Sequence, residues 1–155
     1  MHAETQALLD SFYQAFQQGD AETMAAYYLP EAEFSDPAFP SLNGTEAGDM
    51  WRMLVSGSGG NLQLTYRIEE ATEKRGVVRW EAHYPFGPQQ RPVHNQITAH
   101  IVLQDGKIIH HRDVFSFWRW SRQALGPVGL FLGWTPWLQK KVQQQAAKSL
   151  AKFRA

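Results

Sequence analysis

The stretch KIIHHRDVFSFWRW, residues 107–120, decides how the chain is read. It is dense in β-branched and aromatic side chains, and the turn QDGK at 104–107 leads into it as Asp-Gly does in hairpins. It therefore reads as a β-strand. Alternate residues of a strand face opposite sides, so Ile109, His111, Asp113, Phe115 and Phe117 share one face. Burying a lone carboxylate among such neighbours costs several kcal/mol. Arg112 cannot offset that cost, because adjacent strand residues point apart. Either another cation pairs with Asp113, or this face is the wall of a pocket.

Upstream, three further strands alternate in the same way. Val93, Asn95, Ile97, Ala99, Ile101 and Leu103 mark one inward face. Val78, Trp80, Ala82, Tyr84 and Phe86 mark another, with Arg79, Glu81 and His83 opposite. Leu62, Leu64, Tyr66 and Ile68 mark the third. A shorter alternating segment, EAEFSDPAF (31–39), turns Ala32, Phe34, Asp36 and Ala38 one way. Before it, Leu8, Leu9, Phe12, Tyr13 and Phe16 follow helical spacing up to Gly19, and Asp20 can cap a second helix over about 21–29. A third helix over 45–55 carries Met50, Trp51, Leu54 and Val55 before SGSGG ends it. Three helices and a short strand, then a four-strand meander, predict an α+β fold with helices on one face of a mixed or antiparallel sheet.

Three polar side chains fall on faces otherwise apolar: Asp36, Asn95 and Asp113. Tyr66 adds a hydroxyl, and His111 neighbours Asp113 on its face. Faces that line one concave sheet would give an apolar cavity with a few convergent polar groups, the usual form of a small-molecule site. Carboxylates there have raised pKa values suited to acid/base chemistry near neutral pH. Asp113 and Asp36 are the expected catalytic pair, with Asn95, Tyr66, His111, Phe115 and Trp51 lining the site. Each has a plainer role open to it. Asp36 precedes Pro37 and equally suits a turn that satisfies backbone N–H groups; Asn95 equally suits a strand end; His111 more often serves as a hydrogen-bonded core or rim residue than as a catalyst. No metal site is expected, because His83, His94 and His100 face away from the apolar side.

The chain has 155 residues, 43% apolar, with six Trp and no Cys, enough for one domain with a real core and without disulfides or thiol chemistry. The N-terminal residues lack a secretory signal and no apolar run reaches membrane-spanning length, so a cytoplasmic location is expected. Net charge is zero, but all fifteen acids lie between Glu4 and Asp113, and the residues after Asp113 carry only Arg and Lys. The bases are spread along a helix, which argues against nucleic-acid binding. They equally suit a solvated face packed on the acidic body or a second subunit. The segment ALGPVGLFLGWTPW (124–137) is apolar and rich in Gly and Pro. Thr135 then caps a last helix with Pro136 at its first position, whose stripe Leu138, Val142, Ala146 and Leu150 calls for a packing partner.

LLDSFYQAFQQGDAETMAAYYLPEAEFSDPAF, a helix, and a meander ending DGKIIHHRDVFSFW together resemble the nuclear transport factor 2-like superfamily, most closely its SnoaL-like and ketosteroid isomerase-like branch. The resemblance spans roughly residues 5 to 120. It implies a cone: a strongly curved sheet wrapped around three N-terminal helices, enclosing a pocket, often in a homodimer. Residues 1–120 would form this domain, and 121–155 an extension with a basic amphipathic helix in the same globule. The resemblance places Asp36, in FSDP, where ketosteroid isomerases carry a general base. The oxyanion-hole positions fall on Phe12, beside Tyr13, and near Thr98 or Ala99, so that hole is missing. It places Asp113 where limonene-epoxide hydrolases and SnoaL-type cyclases carry an acid. RWE offers Arg79 and Glu81 as the companion Arg-x-acid pair, yet alternation puts both opposite Trp80; either a bulge shifts the register or the match is accidental.

The expected function is acid/base chemistry, without a cofactor, on a small apolar oxygenated molecule, of isomerase, cyclase or epoxide-hydrolase type. The alternatives are a non-catalytic binder of an apolar ligand or protein partner, and a protein that touches membrane surfaces through its C-terminal tail.

Overall fold

The alternation resolves into one mixed sheet of six strands in the order β2-β1-β6-β5-β4-β3. The computed structural model describes all 155 residues. Helices α1 (Ala3–Gln17) and α2 (Ala21–Ala26) lead into β1 (Tyr28–Ser35), a two-residue β2 (Leu42–Asn43) and α3 (Gly44–Gly57). The meander β3 (Gln63–Ala71), β4 (Arg75–Phe86), β5 (Arg91–Gln104) and β6 (Lys107–Val114) follows, and α4 (Phe117–Ala124), α5 (Pro127–Leu132) and α6 (Pro136–Arg154) complete the chain. The meander is antiparallel, whereas β1 lies parallel to β6. The fold is α+β, and the sheet is open rather than a closed barrel.

Local chemistry explains the boundaries. Asp20 accepts from the Thr23 amide at the start of α2, and Asn43 and Glu46 form a reciprocal capping box on α3. Gly44 is required by close approach: a Cβ there would collide with the Leu29 carbonyl of β1. Asp105 and Gly106 both have positive φ, as the hairpin turn before β6 demands. The core joins the inward faces of α1, α3 and the sheet through Leu9, Phe12, Phe16, Trp51, Val78 and Ile101. A second cluster of Val93, Phe117, Trp120, Ala124 and Leu138 attaches the C-terminal helices to the start of β5.

Four expectations change. The strand expected over 107–120 stops at Val114, because Ser116 caps α4 by accepting from the Arg119 amide; Phe117 is buried as a helix residue. Parity also shifts near the start of β6, where a bulge between Val102 and Leu103 buries Ile108 rather than Ile109. The second helix ends at Ala26, not at 29, and Tyr28 and Pro30 belong to β1. Leu54 is exposed rather than on the packed side of α3. The segment 127–132, read only as apolar and Gly/Pro-rich, is a short helix. The last helix begins as expected, with Thr135 accepting from the Leu138 amide.

Candidate active site

His111 and Asp113 project inward from β6, only 1% and 3% exposed. His111 Nε2 lies 2.9 Å from Asp113 Oδ1. On the other edge of the ring, the Tyr28 hydroxyl of β1 lies 2.8 Å from Nδ1. Trp51 Nε1 of α3 donates to that hydroxyl at 2.9 Å. The end members set the direction, because an indole N–H only donates and a carboxylate only accepts. Tyr28 thus accepts from Trp51, and the ring donates through Nε2–H to Asp113, which leaves one proton between Nδ1 and the Tyr28 hydroxyl to complete the line. Phe34 meets the imidazole edge-on at 5.0 Å and Tyr28 stacks on it at 6.0 Å, so packing fixes the ring as well as hydrogen bonding.

Two buried donors are left over, and one of them, the Tyr13 hydroxyl, feels the charge of Asp113. The Tyr13 hydroxyl of α1 and Trp80 Nε1 of β4 are shut off from solvent and have no hydrogen-bond partner. Their rings lie 6.3 Å apart. Burial, and then the charge of Asp113, hold the Tyr13 hydroxyl well above the ordinary phenol range, so it remains a proton donor. A buried donor without a partner costs about 1–3 kcal/mol, and native proteins rarely leave one so.

Asp36 closes β1. Its Oδ1 accepts from the Ala38 and Phe39 amides at 2.7 and 2.6 Å, while its own N–H donates to the Phe39 carbonyl at 2.8 Å. This is a turn role. It is also a titrating one: burial pushes the carboxyl up to about 7, against the pull of the Phe39 N–H and with a further push from Asp113. Both carboxyls make their hydrogen bonds through Oδ1 alone. Tyr84, near the end of β4, feels Asp36 too; burial first and that carboxyl second push it up to about 12, opposed by Trp120 Nε1, which donates to the Tyr84 hydroxyl at 2.9 Å.

Asp36, His111, Asp113 and Trp51 are therefore brought together. Asn95 is buried on β5, opposite Ala82, and Phe115 is half-buried between the two apolar clusters. Tyr66 is not brought in by its hydroxyl, which donates outward to Asp10 Oδ1 at 2.9 Å; its ring stacks behind Tyr13 at 5.3 Å. Arg79 and Glu81 lie on the outer face. Arg79 sits 3.0 Å from Glu69, and Glu81 sits 3.4 Å from His94, so no register shift turns them inward. The sequence does not point to Tyr28, because helical spacing carries the second helix through it, nor to Trp80 and Tyr13 as donors, because both pass as core aromatics. Two surface cavities of about 430 and 410 Å³ lie elsewhere, one under α6 along residues 38–42 and one beside the turn end of the β4–β5 hairpin.

Residues 9–111 match the family model of the SnoaL-like domain. No curated protein matches in sequence. Among solved structures, a limonene-epoxide-hydrolase-like epoxide hydrolase of M. tuberculosis is 20% identical, with a TM-score of 0.61 over 83% of this chain and 96% of that one. A proposed polyketide cyclase of Xanthomonas campestris pv. campestris is 17% identical, with a TM-score of 0.63 over 78% and 96%. A nuclear transport factor 2-like protein of Burkholderia xenovorans is 18% identical, with a TM-score of 0.62 over 80% and 98%. At such identities the likeness carries the fold, including its cone-like curvature, and not the chemistry.

Proposed function

Because this chain belongs to the SnoaL-like domain family, we propose that it uses the Asp113 site for acid/base chemistry on a small apolar molecule bearing an oxygen. The observation that carries the reading is a braced, buried carboxylate whose charge acts on an unpartnered Tyr13 hydroxyl, with the unpartnered Trp80 N–H on the ring next to Tyr13. Asp113, held by the Trp51–Tyr28–His111 chain, moves a proton at the ligand through its free Oδ2. The Tyr13 O–H and Trp80 N–H donate to the ligand oxygen as negative charge develops there, and in a dry site such donors stabilise that charge strongly. Asp36, titrating near neutral pH, supplies or recovers the second proton. Aromatic walls set the preference for an apolar body. Isomerisation, cyclisation and epoxide opening all fit this scheme.

The test is turnover of a panel of apolar epoxides and enolisable ketones, followed by product chromatography. Asp113→Asn is expected to lower the rate by about 10²–10⁴-fold with the fold intact. Turnover unchanged in Asp113→Asn removes the proposed role. A second reading, a binder without turnover, draws support from the internal pairing of both carboxylates. It predicts saturable calorimetric binding of these compounds with no product at any pH.

A further inference from the structure

The C-terminal helices present a feature that the Asp113 site does not use. Val128, Leu130, Phe131, Leu132, Trp134 and Trp137 are all exposed, Phe131 at 70% and Trp134 at 74%, and the exposed Trp118 adjoins them. On α5 the apolar side chains do not form one stripe. Gly129 is the buried residue of that helix, and every large side chain around it faces outward.

The presentation is rigid. A Cβ on Gly129 would strike the Ser121 carbonyl, and one on Gly133 would strike the Ser121 hydroxyl, so α5 is seated backbone-to-backbone on α4. Trp118 Nε1 donates to the Leu130 carbonyl at 3.1 Å, and Trp134 Nε1 donates to the Phe131 carbonyl at 2.9 Å. The indole N–H groups are thereby satisfied while the ring faces stay outside. The charged side chains of these helices are all basic. Arg122 lies over the Trp118 ring at 4.6 Å and Lys141 over the Trp137 ring at 4.9 Å, Arg119 and Lys140 are exposed nearby, and no acid occurs after Asp113.

We propose that the α4–α5–α6 junction docks the protein on the surface of an anionic lipid bilayer, with α5 and its flanking Trp residues inserted at the headgroup level. A protein partner covers one face of a helix. A helix with large apolar groups on all sides but a single glycine seam suits a medium that surrounds it, as the headgroup and upper acyl region does. Trp belongs at that depth, and Lys and Arg beside it meet anionic headgroups. No helix is long and apolar enough to cross a membrane, so this contact is peripheral. It is independent of any chemistry at Asp113.

The experiment is flotation of the full chain with vesicles of phosphatidylcholine alone, or with phosphatidylglycerol as about a third of the lipid. Binding to the anionic vesicles is expected at low salt, weaker by about tenfold or more at high salt or without the anionic lipid. Phe131→Glu combined with Trp134→Glu is expected to abolish binding, with an unchanged circular dichroism spectrum and melting curve because both side chains are exposed. Lys140→Ala combined with Lys141→Ala should reduce the preference for anionic lipid. Absence of flotation at low salt, or flotation untouched by the two Glu substitutions, overturns the proposal. So does a dimer in velocity sedimentation that those substitutions dissolve in a protein that never floats, since a second copy then covers the patch.

Discussion

Between pH 3.8 and about 7, Asp36 keeps a proton inside the fold that the unfolded chain has released. Its pKa rises from 3.8 to about 7 on folding, so the folded state binds more protons between these values. Stability therefore falls as pH climbs through that window and stays lower above it. Asp36→Asn keeps an acceptor for the Ala38 and Phe39 amides and buries no charge. We expect its urea midpoint to exceed the wild-type value at pH 8 and to match it near pH 4, and equal pH slopes in the two proteins would refute the assignment. In turnover, the same substitution should remove an inflection near pH 7 from the kcat/KM profile. Tyr28→Phe strands the Trp51 N–H and His111 Nδ1 in the core, and should destabilise the fold by about 1–3 kcal/mol in denaturant unfolding. At this scale legibility followed chemistry: a carboxylate on an apolar face announces itself, which is how Asp113 and Asp36 were found. An aromatic side chain hides its polar atom, since Tyr28, Tyr13 and Trp80 satisfy every apolar pattern while carrying the groups that matter.

Among the elements, β4 and β5 were readable because period-two alternation survives along them, and β3 was readable as far as Ile68, where its register against β4 shifts. The two ends of β1 and the far end of β6 were not. Pro30 looked like a helix stop but sits inside a strand beside an irregular register, and Ser116 converts an apolar run from strand to helix in one residue. Replacing Ser116 with Ala should cost about 1 kcal/mol of thermal or denaturant stability through loss of that cap. Helix α6 reaches across the molecule to the Asp36 turn: the side-chain amides of Gln139 and Gln143 both donate to the Pro37 carbonyl, at 3.2 and 3.1 Å. Changing both to Ala should free that turn locally. Hydrogen exchange at the Ala38 and Phe39 amides is expected to quicken by about tenfold while amides in the middle of β5 keep their rates. An unaltered exchange rate at 38 and 39 would show that the turn holds itself.

Over the whole molecule, the division of charge along the chain becomes a division of labour. The acidic part forms the sheet and the site. The basic tail returns over it, and Arg154 binds back to Asp49 at 2.8 Å and lies 3.6 Å from Glu46, while the bases nearer α5 remain outside. The direction of the Trp51–Tyr28–His111–Asp113 chain has one more consequence. Trp51 can release no proton inward and can accept none, so the hydrogen-bonded line is a cul-de-sac. A proton gained by Asp113 has no exit through the protein behind it. Under the proposed chemistry it leaves through Oδ2, the oxygen by which it arrived, handed to the departing product, to Asp36 or to water admitted with the next ligand, so each cycle would have to reset on the ligand side of the carboxylate.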